Sequence, residues 1–437
     1  MSMHKLTRPS VLSIEYPSRD YTGYLNLAMI ILGVHFSHAV VDCVSLVWRY
    51  GVQLPKHSLV EVPCLMCALS LTINIFLAWF TEYLASRRFF PSSMAVGVLH
   101  SLNCLWTLLY PCHVAWSRPD VPLHTFLLLF WSVIAFLKLV SWSHTNWDLR
   151  HAFFSRRARK SQAHLPAAAL HEDGYNNAKP LESGATRYPH SVSLSNISFF
   201  FFCPTLCYQP DYPRAPTIRL RTLASLTFRI IVMTAFAGFI IDQQIHPIIQ
   251  NTMSHVDSLD LLKALGELLR LAIPSTFVWL IFFYVYFHCT LNLFAELTRF
   301  GDRLFFKDWW NSTSFSRYWR TWNLPVHQFV VRHVYFPLLR AGASKMTANV
   351  AVFAVSAFFH ELLISIPCHV VRLWAFLAMM GQIPLIYLTD QLEKTLFKET
   401  QAGNYTFWLI FCIFGQPMAV LLYYADFSAR TTSESAL

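Results

Sequence analysis

Charged residues are scarce in this 437-residue chain, at 13%, whereas hydrophobic residues make up 55% and aromatic residues 16%. A soluble domain is not built with so little charge, so the composition excludes an ordinary soluble globular protein. The apolar residues fall in blocks long enough to cross about 30 Å of hydrocarbon. Nine such blocks predict an all-α, polytopic membrane protein, with spans at 25–48, 62–81, 93–115, 124–141, 222–242, 271–295, 347–366, 370–389 and 405–425.

Three other signals are missing, and each absence removes a class of protein. The first predicted span follows a polar, basic leader and is too long for the apolar region of a cleavable signal peptide, so we expect a retained signal anchor. No internal repeat of the kind found in many transporters is visible. Cys64 and Cys67 have metal-ligand spacing, but no second pair or histidine cluster completes a site, so no metal is expected.

The positive charges that are present give an orientation. With the N-terminus in the cytosol, the predicted cytosolic segments hold 25 of the 34 lysines and arginines. This distribution follows the positive-inside rule. The net charge of +10 therefore reflects topology and anionic headgroups rather than nucleic acid. The predicted organisation is a short cytosolic leader at 1–24, a single membrane domain at 25–428 and a lumenal tail at 429–437.

Two long cytosolic loops interrupt the predicted spans, at 142–221 and 296–346. The first is polar and without periodicity from 144 to 195, which predicts a partly flexible linker. Asn196, Asn311 and Asn404 match the glycosylation sequon. All three lie on the predicted cytosolic side, so we expect none of them to be modified.

The second loop combines tryptophans, amides and cations in two segments, at 305–311 and 319–327. One interpretation is an interfacial helix with an aromatic belt. The other is a phosphate site, because cations form charge-assisted hydrogen bonds with phosphate oxygens. The candidate cations for such a site are Arg317, Arg320, Arg332, Arg340 and Lys345.

His360 lies in an otherwise almost wholly apolar stretch from 348 to 367. An ionisable side chain near the middle of a membrane is costly and normally has a partner or a task. A satisfied structural histidine and a general base are both open interpretations. Ser356 lies one turn earlier on the same helix face, whereas Glu361 points about 100° away, which allows it at most a polar packing or orienting role.

Two motifs resemble a known family, the membrane-bound O-acyltransferases, in the branch that acts on diacylglycerol and sterols with acyl-CoA. Phe305–Asn311 (FFKDWWN) resembles the FYxDWWN signature, and Ser356–Glu361 (SAFFHE) resembles the segment with the catalytic histidine. The segments 204–208, 323–327, 382–384 and 415–417 are similar to type 1 diacylglycerol acyltransferases. Phe306 stands where the family has tyrosine, and Asn349 where it commonly has an arginine that helps hold CoA.

The resemblance implies a fold, a reaction and a set of site residues. The fold has a reaction chamber inside the endoplasmic reticulum membrane, with the N-terminus cytosolic, the C-terminus lumenal and a homo-oligomer, either a dimer or a tetramer. The reaction is esterification of 1,2-diacylglycerol by acyl-CoA, which is a substrate, so no cofactor is needed. The implied alternatives are acylation of another lipid alcohol (a sterol, retinol, a fatty alcohol or monoacylglycerol), or a non-catalytic lipid-binding scaffold or transporter.

The implied site residues fall into four groups. His360 is the general base, and Asn323 donates to the thioester oxygen. Gln382 and Gln416 line the acceptor pocket. The acyl-CoA-binding residues are Trp319, Arg320, Thr321, Trp322, Asn323, Leu324, Pro325, Val326, His327, Tyr335 and Lys345. The signature motif is formed by Phe305, Phe306, Lys307, Asp308, Trp309, Trp310 and Asn311.

Overall fold

Helices account for the regular structure of the chain. The computed structural model describes residues 61–119, 121–162, 188–249, 261–395, 402–415, 422–423 and 426–427. Across these ranges the sole β-type contact is an isolated bridge between Arg214 and Phe300. The prediction of an all-α fold is confirmed.

Fourteen α-helices can be numbered along the described ranges. They are α1 (Val62–Ser86), α2 (Ser93–Trp116), α3 (Pro122–Gln162), α4 (Leu194–Phe202), α5 (Leu220–Ile240), α6 (Leu261–Phe283), α7 (Leu291–Thr298), α8 (Phe315–Thr321), α9 (Leu324–Val330), α10 (Phe336–Arg340), α11 (Lys345–Cys368), α12 (Trp374–Met380), α13 (Gln382–Lys394) and α14 (Ala402–Ile410). Single π-helical turns continue α5, α6, α9 and α14.

Six helical segments of the described chain are long and apolar enough to cross a membrane. They are Val62–Ser86, Ser93–Trp116, Pro122–Arg156, Leu220–Ile249, Leu268–Leu297 and Lys345–Cys368. Each overlaps a predicted span, so the polytopic character is confirmed. The predicted span 25–48 lies outside the described residues, and 405–425 is described only in part, so the total of nine stays a prediction.

The predicted span 370–389 is wrong as a single helix. The structure divides it into α12 and α13, with Gly381 between them. Pro384 explains the break, because it has no N–H to donate to the carbonyl of Met380 and its ring clashes with that carbonyl. Gln382 therefore lies at a helix junction rather than inside a continuous helix.

The first cytosolic loop is also more ordered than its composition predicted. Helix α3 continues to Gln162, and Tyr188 and Ser191 are buried just before α4. A flexible linker over 144–195 is therefore wrong for 144–162 and for the packed residues from Tyr188 onward. Composition alone missed this because the polar part of α3 is stabilised by distant partners rather than by an apolar stripe.

Those distant partners form a buried charged cluster between helices. Arg150 of α3 donates to Glu82 of α1 at 2.6 Å, and the Tyr188 hydroxyl donates to the same carboxylate at 3.1 Å. Glu82 is fully buried. A buried carboxylate is tolerated only when it is paired and hydrogen-bonded, so this cluster fixes α3 against α1.

Helix α11 carries His360 and lies against both α3 and α12. Ser344 caps its N-terminus by accepting a hydrogen bond from the Thr347 N–H at 3.1 Å. Its C-terminus ends at His369, which adopts a left-handed conformation with φ of 53°. These two boundaries place His360 in the second half of a helix that spans 24 residues.

Candidate active site

The two signature segments of the second loop lie side by side. The Lys307 N–H donates to the carbonyl of Thr321 at 2.7 Å, and the Leu324 N–H donates to the carbonyl of Phe305 at 3.0 Å. These backbone bonds join the segment 305–307 to the segment 321–324. Motifs separated by more than ten residues in sequence therefore form one local structure.

The FFKDWWN segment anchors that structure through aromatic packing. Trp309 is 2% exposed and packs edge-on against Phe283 and Trp279 of α6, with centroids 4.9 and 5.2 Å apart. Asp308 forms a half-exposed ion pair with Arg317 at 3.2 Å, and the Asn311 side chain donates to Asp308 at 3.4 Å. The tryptophan thus fixes the loop on the membrane helices, which is a structural role.

Phe306 stands where the family has tyrosine, and the contacts of its side chain are aromatic. Its ring lies 5.0 Å from that of Phe283 and 6.5 Å from that of Trp310. Trp310 is 45% exposed and Phe305 is buried. The aromatic packing of the motif is therefore complete without a hydroxyl at this position.

Asn323 is the N-cap of α9. Its side-chain oxygen accepts a hydrogen bond from the Val326 N–H at 3.2 Å, and Pro325 occupies one of the first helical positions, where its missing N–H costs nothing. Because the oxygen is held by the helix, the amide N–H group points away from the cap. No described residue accepts a hydrogen bond from that N–H group, so it is available as a donor.

His360 is half-buried, and its own helix fixes its tautomer. The Nδ1 atom lies 2.8 Å from the carbonyl oxygen of Ser356, and the Ser356 hydroxyl is farther away at 3.5 Å. A carbonyl oxygen can only accept, so Nδ1 carries the proton and donates it. The Nε2 atom therefore holds the free lone pair that a general base requires.

The packing of α11 shows where His360 faces. Val352, Phe359 and Leu363 pack against an apolar cluster that includes Phe329 and Val330 of α9. On the neighbouring face, the ring of Phe353 lies 5.9 Å from that of Trp319. At 100° per residue, His360 is about 80° from Val352 and about 20° from Phe353 around the helix. His360 therefore lies on the same face of α11 as Phe353, which contacts Trp319 about two turns nearer the N-terminus of the helix.

The Glu361 side chain lies on a different face of α11 from His360. It is 7% exposed and accepts hydrogen bonds from the N–H groups of Leu373 and Phe376, at 3.0 and 3.1 Å, and from the Tyr423 hydroxyl at 2.8 Å. The Ser365 hydroxyl also donates to it. These contacts join α11 to the start of α12 and to Tyr423. The side chain positions the helix that carries His360, and its sequence neighbours gave no sign of these partners.

Two cations, Arg320 and Lys307, lie near His327. Burial lowers the pKa of His327, and the positive charges of Arg320 and Lys307 lower it further. This effect places charges from α8, α9 and the FFKDWWN segment in one region. Arg320 is exposed and held by Ser316, and Lys345 and Asn349 are exposed in the first turns of α11. The exposed cations Arg320 and Lys345 are therefore available to anionic groups.

The other predicted acyl-CoA residues are divided between packing and partial exposure. Thr321 and Leu324 are buried. Trp322 stacks on Tyr318 at 5.7 Å, and Val326 packs against the apolar cluster that contains Phe329 and Val330. Tyr335 is half-buried beside Phe336, with rings 5.7 Å apart. The indole Nε1 of Trp319 is buried and has no acceptor within the described ranges, so it is a donor available to a ligand.

The predicted acceptor residues are only partly described. The side-chain oxygen of Gln382 is buried and has no donor within the described ranges. Gln416 lies outside the described residues. Buried polar atoms are nearly always paired in folded proteins, so the Gln382 oxygen marks a place where a ligand donor fits.

A second polar network near the site was missed by sequence reasoning. Nε2 of His333 lies 2.8 Å from the Ser141 hydroxyl, and its Nδ1 lies 2.9 Å from Nδ1 of His144. Ser141 also accepts from the Tyr208 N–H at 2.8 Å. The residues are up to 192 positions apart, and only Tyr208 belongs to a segment that the motif comparison had singled out.

Metal ligation has no candidate in this region. Within the described ranges, no group of three or more histidine, cysteine, aspartate or glutamate residues could hold a metal ion. Cys64 and Cys67 are buried and are not joined to each other.

The described chain has the helices of a polytopic membrane protein, and the one that carries His360 follows an aromatic, cationic loop. Residues 123–425 match the profile of MBOAT, the membrane-bound O-acyltransferase family. The chain belongs to the membrane-bound O-acyltransferase family.

Similar curated proteins extend the match to nearly the whole chain. The chain is 40% identical to diacylglycerol O-acyltransferase 1B of Glycine max over 98% of its length and 81% of that protein. It is 39% identical to diacylglycerol O-acyltransferase 1 of Arabidopsis thaliana over 99% of its length and 78% of that protein. It is 36% identical to diacylglycerol O-acyltransferase 1 of Bos taurus over 97% of its length and 84% of that protein.

Proposed function

We propose that this protein transfers a fatty acyl group from acyl-CoA to the free hydroxyl of 1,2-diacylglycerol, giving triacylglycerol and CoA. The observation that carries the proposal is the tautomer of His360. Its Nδ1 donates to the Ser356 carbonyl at 2.8 Å, which leaves Nε2 as a base on the same face of α11 as Phe353, the residue that contacts Trp319. The names of the similar proteins from soybean, Arabidopsis and cattle support diacylglycerol as the acceptor.

The chemical step needs a base and a donor. Nε2 of His360 takes the proton of the acceptor hydroxyl while its oxygen attacks the thioester carbon. The carbon–sulfur bond then breaks, and the proton passes from His360 to the departing CoA thiolate. No acyl-enzyme is required, because placing hydroxyl, thioester and base together supplies most of the rate.

Asn323 is suited to stabilise the oxygen that becomes negative. Its side-chain oxygen is committed to capping α9, so the amide N–H is the part free to donate to the thioester carbonyl. A donor fixed before the reaction is worth most where charge develops, on the order of 10²-fold in rate.

The edges of the site are suited to the two substrates. Arg320 and Lys307 lie close enough to His327 to affect its pKa, and cations of this kind hold the phosphates of CoA. The buried oxygen of Gln382 has no protein donor within the described ranges and can accept from the hydroxyl of an incoming alcohol. Gln416 is proposed to line the same pocket. The remaining residues proposed to contact acyl-CoA are Trp319, Thr321, Trp322, Asn323, Leu324, Pro325, Val326, His327, Tyr335 and Lys345.

The cellular setting follows from the charge distribution. Cytosolic placement of the 296–346 loop puts the cationic edge where acyl-CoA is found. We propose an endoplasmic reticulum location with the N-terminus cytosolic and the C-terminus lumenal, and assembly as a homo-oligomer.

A panel of acceptors tests the proposed substrate. Purified protein in lipid nanodiscs would receive labelled oleoyl-CoA with 1,2-diacylglycerol, cholesterol, retinol, a fatty alcohol or monoacylglycerol. The proposal expects labelled triacylglycerol as the main product. A sterol ester or another ester as the main product would show that the acceptor is a different alcohol. The absence of ester with every alcohol would favour a non-catalytic lipid-binding role.

A further inference from the structure

The segment 310–315 joins the FFKDWWN motif to α8, and it is held by two helices from much later in the chain. Asn404 of α14 donates its side-chain amide to the backbone carbonyls of Trp310 and Ser312, at 2.9 and 2.8 Å. Trp408, one turn later on α14, donates its indole N–H to the same Trp310 carbonyl at 3.2 Å. Both hydrogens of the Asn404 amide are therefore used to fix the backbone of this segment.

Helix α13 holds the other end of the segment. The Thr389 hydroxyl donates to the carbonyl of Leu385 on its own helix at 2.9 Å and accepts from the Phe315 N–H, the first of α8, at 3.3 Å. The N–H groups in the first turn of a helix have no partner within that helix, so this outside acceptor fixes where α8 begins. Two residues before α8, the Thr313 hydroxyl donates to the Glu393 carboxylate.

Gly403 allows α14 to approach the segment closely. A Cβ atom at residue 403 would lie 2.6 Å from the carbonyl oxygen of Thr313, which is closer than unbonded atoms approach. Because that neighbour is backbone, a side chain here would displace the segment itself. These contacts form a set that we call the loop clamp, which consists of Gly403, Asn404 and Trp408 of α14 with Thr389 and Glu393 of α13.

The loop clamp leads directly to a cation of the proposed acyl-CoA site. Ser316 follows Phe315, the residue held by Thr389. Ser316 accepts two hydrogen bonds from the Arg320 guanidinium, through its carbonyl at 3.2 Å and its hydroxyl at 3.0 Å. Displacing the first turn of α8 therefore displaces this exposed guanidinium. The phosphates of CoA carry a charge for Arg320 to bind, whereas a neutral alcohol such as diacylglycerol carries none.

We propose that the loop clamp positions Arg320 for the phosphates of acyl-CoA, so that Thr389 and Asn404 are positioning residues for the acyl donor. The inference rests on the proposed function, which supplies acyl-CoA as the donor. A loosened clamp leaves the start of α8 to be ordered each time acyl-CoA binds, which weakens binding. The end of α8 keeps its own backbone bonds to 305–307, so Asn323 stays in place and kcat is retained.

Binding of an unreactive acyl-CoA tests the proposal. The full chain in lipid nanodiscs would be titrated with the thioether analogue of oleoyl-CoA, which has no thioester to react. Thr389→Val removes the acceptor hydroxyl, Asn404→Ala removes two donors, and Gly403→Ala pushes the segment away while keeping every donor and acceptor. Each variant should raise Kd about three- to tenfold, the worth of about one hydrogen bond. The KM for oleoyl-CoA should rise equally, with kcat unchanged.

Matched variants separate positioning from loss of the fold. Thr389→Ser keeps the hydroxyl, Tyr405→Ala changes a 75% exposed residue of α14, and Gly238→Ala adds a Cβ that meets nothing within 4 Å. All three should bind the analogue as the wild type does. In the double variant Arg320→Gln, Thr389→Val the loss should equal that of Arg320→Gln alone, because the clamp acts through Arg320.

Three results would overturn the proposal: an unchanged Kd in Thr389→Val and Gly403→Ala, fewer binding sites at an unchanged Kd, or an additive loss in the double variant. The titration needs no acceptor, so its result is separable from the proposed function. If the clamp variants weaken binding but the wild type makes no triacylglycerol, the loop clamp stands and the proposed function fails. Triacylglycerol synthesis together with an unchanged Kd in the clamp variants would have the opposite meaning.

Discussion

A neutral histidine has one ring nitrogen that donates and one that accepts, and the helix itself decides this assignment at His360. The Ser356 carbonyl, one turn earlier, accepts from Nδ1 at 2.8 Å. The i to i+4 spacing of Ser356 and His360 was visible in the sequence and predicted a shared face. The carbonyl rather than the hydroxyl as the main partner was not predicted, because it depends on the rotamer of the ring.

Asn323 has two roles that substitutions can separate. Asn323→Asp keeps an oxygen to cap α9 but removes the N–H donor, so we expect a fall in rate on the order of 10²-fold with little change in thermal stability. Asn323→Ala should lose the same rate and also about 1 kcal/mol of stability, because the cap is lost. Initial rates and unfolding midpoints of both variants in one detergent provide the measurement. A normal rate in Asn323→Asp would show that its N–H is not a donor in the reaction.

At the scale of elements, neighbouring helices are fixed by polar contacts that cross long distances in sequence. Glu361 connects α11 to residues 12 to 62 positions later, and His333 connects to residues 189 to 192 positions earlier. The apolar blocks predicted most helices because their lengths match a membrane. They could not predict these polar contacts, or the break at Gly381, because each depends on which elements become neighbours.

Glu361→Ala should destabilise the link between α11 and α12. It leaves the N–H groups of Leu373 and Phe376 and the Tyr423 hydroxyl without their acceptor, and each buried donor left unpaired costs about 1–3 kcal/mol. Tyr423→Phe is the matched control, since it removes one donor and leaves the carboxylate satisfied by the others. Thermal unfolding midpoints should fall much further for Glu361→Ala. Equal midpoints for the two variants would contradict a structural role for the carboxylate.

His333 should make the stability of the protein depend on pH. Burial lowers its pKa to about 3, with further contributions from the charges of His144 and Arg332. Between its ordinary pKa of about 6.5 and this value, the unfolded chain binds a proton that the folded chain does not. Stability from this group is therefore present above about pH 6.5 and is lost as the pH falls.

Unfolding midpoints from pH 7.5 to pH 5 provide the measurement. We expect a smaller loss on acidification in His333→Gln than in the wild type. His151→Gln, which changes an exposed histidine of α3, should retain the wild-type dependence. An identical slope in wild type and His333→Gln would contradict the assignment.

At the scale of the whole molecule, composition predicted the fold class and most spans. Six of the predicted spans correspond to long apolar helices in the described chain. The polar second half of α3 was not predicted to be helical, because its order depends on the buried Arg150–Glu82 pair rather than on hydropathy. The cations of the loop and the isolated His360 pointed to one candidate site, and the family resemblance assigned roles to their residues. The contact between Trp319 of the loop and Phe353 of α11 became visible only in the structure.

Glycosylation tests the predicted orientation of the whole chain. Asn196 and Asn404 use their side-chain amides to donate to backbone carbonyls, and all three sequons are predicted to be cytosolic. Expression in eukaryotic microsomes should therefore give no change in mobility after glycosidase treatment. A sequon placed in a C-terminal extension should be modified, since that end is predicted to be lumenal. Modification of a native sequon, or none on the extension, would reverse the orientation.

The rate of triacylglycerol formation by His360→Ala tests the central claim most directly. Wild-type protein, His360→Ala and the neighbouring Ser356→Ala would receive labelled oleoyl-CoA and 1,2-diacylglycerol in nanodiscs. Loss of the base should lower the rate by about 10²–10⁴-fold in His360→Ala, with unfolding midpoint and oleoyl-CoA binding retained. Ser356→Ala should retain most activity, because the backbone carbonyl of residue 356 still holds Nδ1. Triacylglycerol formation at the wild-type rate by folded His360→Ala would contradict the account.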